Sequence, residues 1–461
     1  MLKRVLVANR GEIALRIIRE CLDKNIETVA IYSLADKDSL HVLLANESVC
    51  VGAAPPSESY LKMDNIIEAA LGMGCDAVHP GFGFLSENPA FAALCEENGI
   101  KFIGPSSSVI KQMGNKSAAR ELMMKAKVPT VPGSDGAVRD IETAKSIAEK
   151  IGFPILIKAS AGGGGRGMRR ANSLEDIERA FDEARAEARA AFGDDTVYIE
   201  KLILSPKHIE VQVLSDSYGK TIHLGERNCS IQRKNQKMLE EAPAFAFDQG
   251  LRDRMCEAAV KAAEACNYEG AGTVEFVLDS ENNFYFIEMN TRIQVEHPVT
   301  EMVTGVNIVA QQIRIASGLP LDIDQSDVKI KGHAIECRIC AENPVRDFAA
   351  SPGHVNMVHF PGGNGVRVES ALYSGCDISP YYDSMAAKII VYGDTRVEAV
   401  RRMRRALEET IIEGIDTTLL LQYLILFNRV FLRGNYNTSF IEKEQESLLE
   451  LLRTATDIRG K

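Results

Sequence analysis

A chain of 461 residues that is 45% hydrophobic and 25% charged has ordinary soluble composition, enough for about two to four domains with large cores. A formal charge of −11 argues against a generic nucleic-acid binder, and ten mostly scattered cysteines need no disulfide framework. The apolar run at the start is too brief for a secretory signal, and residues 419–426 fall far short of the roughly 20 a bilayer needs, so a cytoplasmic chain with no membrane or nucleic-acid partner is expected.

The first hundred residues alternate strand and helix patterns (KRVLVA, GEIALRIIRECLDKN, ETVAIYS, SVCVG, CDAVHP), which predicts a parallel sheet with helices on its faces. Asn9-Arg10-Gly11-Glu12 lacks GxGxxG, so a dehydrogenase-type dinucleotide fold gains little support. His79-Pro80-Gly81-Phe82-Gly83-Phe84 follows a strand, at the end where open α/β sheets bind ligands; structural punctuation explains its glycines equally well. VPTVPGSDG, at 128–136, reads as a linker or hinge.

A compact unit follows: helix 141–150, strand 154–159, a glycine loop, a strand near Met168, helix 174–191 and strand 197–202. The loop has four consecutive glycines between Lys158 and Arg166 and does not match the P-loop pattern. Its backbone could offer successive N–H groups to phosphate oxygens, and the two cations favour a polyphosphate over a mere linker. HIEVQVLSDSYGKTIHLGERNCSIQRK predicts antiparallel strands turning at 218–220, and a helix is expected over 251–266.

GAGTVEFVLD and NFYFIEMN predict a hairpin turning at 280–283. Pairing Leu278 with Tyr285 would set Glu275 opposite Glu288, with both carboxyl pKa values raised unless a divalent cation intervenes. Downstream, Glu288, Asn290, Arg292, Gln294 and Glu296 alternate with mostly apolar residues, so one extended strand would aim all five the same way. In the last third, Cys337-Arg338-Ile339-Cys340 sits in a strand-like run that puts the two thiols on opposite faces, which argues against a metal site. Arg401, Arg402, Arg404 and Arg405 read as a solvated helix face.

Taken in order, ANRGEIALRI, HPGFGFLSENPAF, FIGPS, MGNKSAAR, PGSDG, IKASAGGGGRGM, ERNCSIQRKNQK, GAGTVEF, FIEMNTRIQVEHPVTE, GHAIECRI, SPG and PYYDSM resemble the biotin carboxylases, a family of ATP-grasp ligases. The resemblance covers essentially the whole chain. It implies an α/β and α+β architecture: an N-terminal parallel-sheet domain (1–114), a linker and ATP-grasp lid with the glycine loop (115–203), a central catalytic domain (204–330) and a C-terminal mixed α+β domain (331–461).

The resemblance also implies ATP-dependent carboxylation of biotin by bicarbonate through carboxyphosphate, with Mg²⁺ or Mn²⁺. By it, Lys116, Lys158, Gly164 and Gly165 hold phosphates, Glu200, Lys201, Leu202 and Ile203 line the adenine pocket, and His208, Gln232 and Asn235 contact nucleotide. Glu275, Glu288 and Asn290 match metal positions. Lys237, Arg292, Gln294 and Val295 match the bicarbonate side, Glu296 the general base, and Arg338 the biotin-side arginine. Asn235 replaces a histidine usual in the family, Phe82 a tyrosine, and Cys340 is atypical. With no Met-Lys-Met motif, biotin is expected on a separate carrier protein, with carboxyltransferase subunits elsewhere and a homodimer implied. Two rivals are another ATP-grasp ligase that joins a carboxylate to an amine, and a nucleotide-binding subunit without catalysis; the bicarbonate-side set and the intact acids, lysines and arginine speak against them.

Overall fold

The computed structural model describes residues 2–159 and 168–459. Strands β1 (Arg4–Val7), β2 (Glu27–Ser33), β3 (Glu47–Gly52), β4 (Ala77–His79) and β5 (Lys101–Phe102) form a parallel sheet in the order β3-β2-β1-β4-β5. Both faces are covered: Val5 and Val7 pack with Ile13 and Ile17, and Leu6 packs with Val29 and Ile66, which explains the continuous apolar run of β1.

The strand order reverses between β1 and β4, where such sheets open a crevice at their carboxyl ends. The Ala8 N–H donates to the His79 carbonyl (2.9 Å), and Asn9 Nδ2 donates to the carbonyls of Pro80 and Phe82 (2.7 and 2.8 Å). Gly81 has φ +61°, and a Cβ there would lie 3.0 Å from Asn9 Nδ2, so both conformation and space require glycine. His79 is a core residue: burial pushes it down to about 3, and its Nδ1 accepts from the Gly81 N–H.

Strands β6 (Ile155–Ala159), β7 (Met168–Ala171) and β8 (Val197–Lys201) form a small antiparallel sheet in the order β7-β6-β8. Helix Leu174–Phe192 covers it with Ile177, Ala180, Phe181 and Ala184, a stripe at helical spacing. The expected hinge runs along β8, with Ser134 N donating to Ile199 O and Lys201 N to Pro132 O (both 2.8 Å).

Strands β9 (Lys207–Ser215), β10 (Thr221–Arg233), β11 (Gln236–Ala242), β12 (Gly270–Leu278), β13 (Phe284–Asn290) and β14 (His333–Cys340) join strands Val366–Ser370 and Met385–Gly393 in one eight-stranded sheet. Its order is β13-β12-β9-β10-β11-β14, then Met385–Gly393 and Val366–Ser370. One continuous sheet therefore joins the central and C-terminal parts through the β11–β14 pair.

Helix Arg396–Glu409 corrects one expectation in part: Arg401 and Arg405 are exposed as expected, but Arg402 and Arg404 are half-buried. Arg404 stacks on Phe427 (3.8 Å) and donates to the Leu426 carbonyl (2.6 Å), while Arg402 pairs with Glu398 (2.7 Å). Among the described residues no helix is long and apolar enough to cross a membrane.

Candidate active site

The β12–β13 hairpin begins one residue out of the expected register: Leu278 pairs with Phe284, not Tyr285. A bulge between the Phe276–Phe286 and Glu275–Glu288 pairs absorbs Ile287 and sets Glu275 opposite Glu288. It also switches face parity. Phe284 and Phe286 pack in the core before it and Met289 after it, which frees Glu288 and Asn290 for the opposite face.

The expected rise in the Glu275 pKa is reversed. Burial favours the neutral form, but Lys237 Nζ at 2.9 Å and His208 Nε2 at 3.1 Å hold Glu275 well below the carboxylate range. Burial would lower His208, yet the Glu275 charge pushes it up to about 9. Glu288 is half-buried, with Oε2 3.5 Å from Lys116 Nζ. Lys116 opens helix Lys116–Lys125, whose first turn is capped by the Asn115 side chain accepting from Ala118 N (2.9 Å).

The single polar row is also corrected. Strand β13 ends at Asn290, and 291–296 turn into helix His297–Thr304. Side chains from the turn still converge, but by fanning inward. Asn290 Nδ2 and Gln294 Nε2 donate to Glu275 Oε1 (2.9 and 2.8 Å), whereas Arg292 swings toward the N-terminal unit and grips Glu87 (2.8 Å). Val295 lines the neighbouring cleft.

Lys237 Nζ lies 2.5 Å from Glu210, 2.9 Å from Glu275 and 2.7 Å from Glu296. Burial alone would lower this lysine, but three carboxylates raise it well above its usual value. Glu296 is almost wholly buried; burial and Glu210 would raise it, yet Lys237, Arg338 and Arg227 prevail and keep it ionised. Arg338 bridges Glu296 Oε2 (2.9 Å) and Glu240 Oε1 (2.7 Å).

Period-two alternation in β14 explains Arg338 and disposes of the CxxC as a metal site. Cys337 is buried with Ile335 and Ile339 on the core face, while Arg338 and Cys340 line a cleft of about 370 Å³ with Glu12, Phe82, Arg292 and Val295.

On the lid sheet, Lys158 Nζ meets Glu200 Oε2 (2.5 Å), and Arg120 Nη1 lies 3.5 Å from Glu200 Oε1. Lys201 turns away, donating to the Phe153 carbonyl (2.8 Å), and Leu202 N donates to Pro154 O (3.0 Å); Ile203 is half-buried just beyond β8. Gln232 pairs with Lys237 across the β10–β11 turn. There Asn235 has φ +67°, a backbone region in which asparagine and histidine are both enriched, so the exchange suits the turn. Gln232 and Asn235 line a second cleft with Thr438 and Ile441. Gly164, Gly165 and Arg166 lie outside the described residues.

Four partners were given no role by the pattern of the chain. Arg227 is fully buried and bonds Glu210, Gln212, Thr273, Gln294 and Thr300. Glu210 and Glu240 bracket Lys237 and Arg338, and Glu87 arrives from the N-terminal unit. Arg227 lies in the ERNCS block and Glu87 in the FLSEN block, but what each binds needed the fold, as did Glu210 and Glu240.

Three family models match successive stretches: biotin carboxylase N-terminal domain (1–110), carbamoyl-phosphate synthase L chain ATP-binding domain (115–324) and biotin carboxylase C-terminal domain (336–443). Biotin carboxylase 1 of Bacillus subtilis is 55% identical over 443 residues, covering 96% of this chain and 98% of the relative. The crystal structure of the biotin carboxylase domain dimer of Hydrogenobacter thermophilus 2-oxoglutarate carboxylase, in complex with MgADP, ADP and bicarbonate, superposes with TM-score 0.92 at 51% identity, over 97% of this chain and 99% of that one. A crystal structure of the biotin carboxylase subunit of pyruvate carboxylase superposes with TM-score 0.86, also at 51% identity and over 97% of this chain and 99% of that one.

Fold and matches define an ATP-grasp ligase. Within that class, the chain belongs to the biotin carboxylase family.

Proposed function

We propose that this enzyme carboxylates biotin, borne on a separate carrier protein, with bicarbonate and ATP, giving carboxybiotin, ADP and phosphate. The observation that carries the reading is Glu296, buried and ionised between Lys237 and Arg338 beside the cleft.

Bicarbonate is a poor electrophile and must first be activated. Glu296 takes its proton while a bicarbonate oxygen attacks the γ-phosphorus of ATP, releasing ADP and forming carboxyphosphate. Lys237 and Arg292 balance the bicarbonate charge, with Gln294 and Val295 completing its site. Lys116, Lys158 and the loop around Gly164 and Gly165 hold the phosphates, and Glu200, Lys201, Leu202, Ile203, His208, Gln232 and Asn235 form the nucleotide side. Glu275, Glu288 and Asn290 offer hard oxygen donors and so fit Mg²⁺ or Mn²⁺, which would neutralise phosphate charge. Carboxyphosphate splits to CO₂ and phosphate. That phosphate removes the ureido proton, the nitrogen attacks CO₂, and Arg338 stabilises the developing oxyanion.

Solved relatives from a pyruvate carboxylase and from a 2-oxoglutarate carboxylase match at the same identity, so the likeness does not single out a final acceptor; in this reading a carboxyltransferase sets it, whether acetyl-CoA, another acyl-CoA or pyruvate. A cytoplasmic homodimer working with carrier and carboxyltransferase subunits completes the proposal. Purified protein given MgATP, bicarbonate and free biotin should release phosphate only when bicarbonate is present, and faster when biotin is added, with carboxybiotin as the product. Turnover with an amine instead, or ATP binding without turnover, would refute the assignment.

A further inference from the structure

The turn 291–296 holds Arg292, Gln294, Val295 and Glu296, yet it lies beyond the end of β13. With no ladder there, its backbone is held by side chains as well as by the His297 N–H on the Gln294 carbonyl (3.3 Å). Three consecutive carbonyls are held by side chains: Ile293 by Arg292 Nη1 (3.2 Å), Gln294 by His297 Nδ1 (2.8 Å) and Val295 by Lys388 Nζ (2.8 Å).

Lys388 is the unexpected member. It stands opposite Arg338 in the sheet and is fully buried. Its ammonium lies 3.0 Å from Glu12 Oε1, at the start of helix Gly11–Asp23, and 5.8 Å from the centre of the Phe82 ring. Glu12, Phe82 and Val295 line the same cleft as Arg292 and Arg338. A charge so deep is expensive, and an apolar residue would fill the space more cheaply.

The Val295 carbonyl belongs to the planar peptide that joins Val295 to Glu296. Holding it fixes the plane from which the Glu296 side chain departs. We propose that Lys388, braced by Glu12, is a positioning residue that aims Glu296 by holding the Val295–Glu296 peptide. The inference rests on the reading of Glu296 as general base. Glu369 also faces Lys388 in register, so the competing account is simple neutralisation of neighbouring acids.

Lys388→Met should lower the turnover of bicarbonate- and biotin-dependent phosphate release on the order of tenfold or more, the scale expected for a misplaced catalytic group. MgATP affinity should stay within about twofold. In a Glu296→Gln background the same change should have almost no further effect, because the group it positions is already gone. Glu12→Gln, a milder change, should lose several-fold with the same dependence on Glu296, and it carries the test if Lys388→Met does not fold. Undiminished turnover in the foldable variant would overturn the proposal, as would an equal loss with and without Glu296. Full activity of Glu296→Gln alone would instead remove the general-base reading on which the proposal stands.

Discussion

Lys237 and Arg338 sit on either side of Glu296, and each is held by a further acid: Lys237 by Glu210 and Glu275, Arg338 by Glu240. Removing one member leaves an opposite charge buried without its partner, which is more damaging than replacing both. Arg338→Gln should therefore cut biotin carboxylation by roughly 10²–10³-fold, as when one oxyanion donor is lost, while a binding titration finds MgATP affinity unchanged. Full biotin carboxylation by that variant would remove Arg338 from the mechanism. Glu288→Ala should act differently, weakening Mg²⁺-dependent ATP binding itself, because Glu288 lies beside Lys116 and not in the Glu296 group. At this scale the chain was informative about identity and weak about geometry. Residue types at Lys237, Glu275, Glu288 and Arg338 were legible through resemblance, but the direction of the Glu275 pKa shift was not, since it depends on Lys237 and His208 arriving from other strands.

Strand β11 shows how an element is held in place. Glu241 is fully buried and receives Arg396 Nε and Nη2 (2.6 and 2.9 Å), the Tyr436 hydroxyl (2.7 Å) and His333 Nε2 (2.6 Å). These tie the strand to helix Arg396–Glu409, to β14 and to the tail of the chain. Burial would raise the Glu241 carboxyl, but Arg396 and His333 bring it from 4.5 down to about 2. A carboxylate depressed in the folded state stabilises above its unfolded pKa and loses that contribution as pH falls through the folded one. The contribution is roughly 3 kcal/mol at neutral pH, lost between about pH 4.5 and 2. Thermal unfolding of Glu241→Gln should therefore come several degrees below that of the parent at pH 7, with the gap closing as pH falls through that window. A gap independent of pH would contradict the assignment. Period two was readable in β14, where it separated Cys337 from Cys340. It failed in β13 because an inserted residue and an early strand end are set by pairing with β12 and by the following helix, neither of which is encoded locally.

The whole molecule places its cleft where three parts meet: the crevice between β1 and β4, the turn after β13, and β14 with its C-terminal neighbour. The fold class was legible from alternating and antiparallel patterns. The partners of Glu87, Glu210, Arg227 and Lys388 were not, because only long-range packing gives them neighbours. Glu87 belongs to the N-terminal unit yet grips Arg292, so Glu87→Gln should raise the KM for bicarbonate several-fold and leave that for ATP unchanged; equal rises in both would assign Glu87 a general structural role. The central claim is that one ionised carboxylate, Glu296, starts chemistry that needs ATP, bicarbonate and biotin together. Its most direct test is phosphate release by the parent and by Glu296→Gln, each with and without bicarbonate and biotin, beside a MgATP binding titration. Release by the parent should require bicarbonate and rise further with biotin, and Glu296→Gln should lose nearly all of it with ATP affinity intact. Retained turnover in Glu296→Gln, or release by the parent without bicarbonate at the same rate, would contradict it.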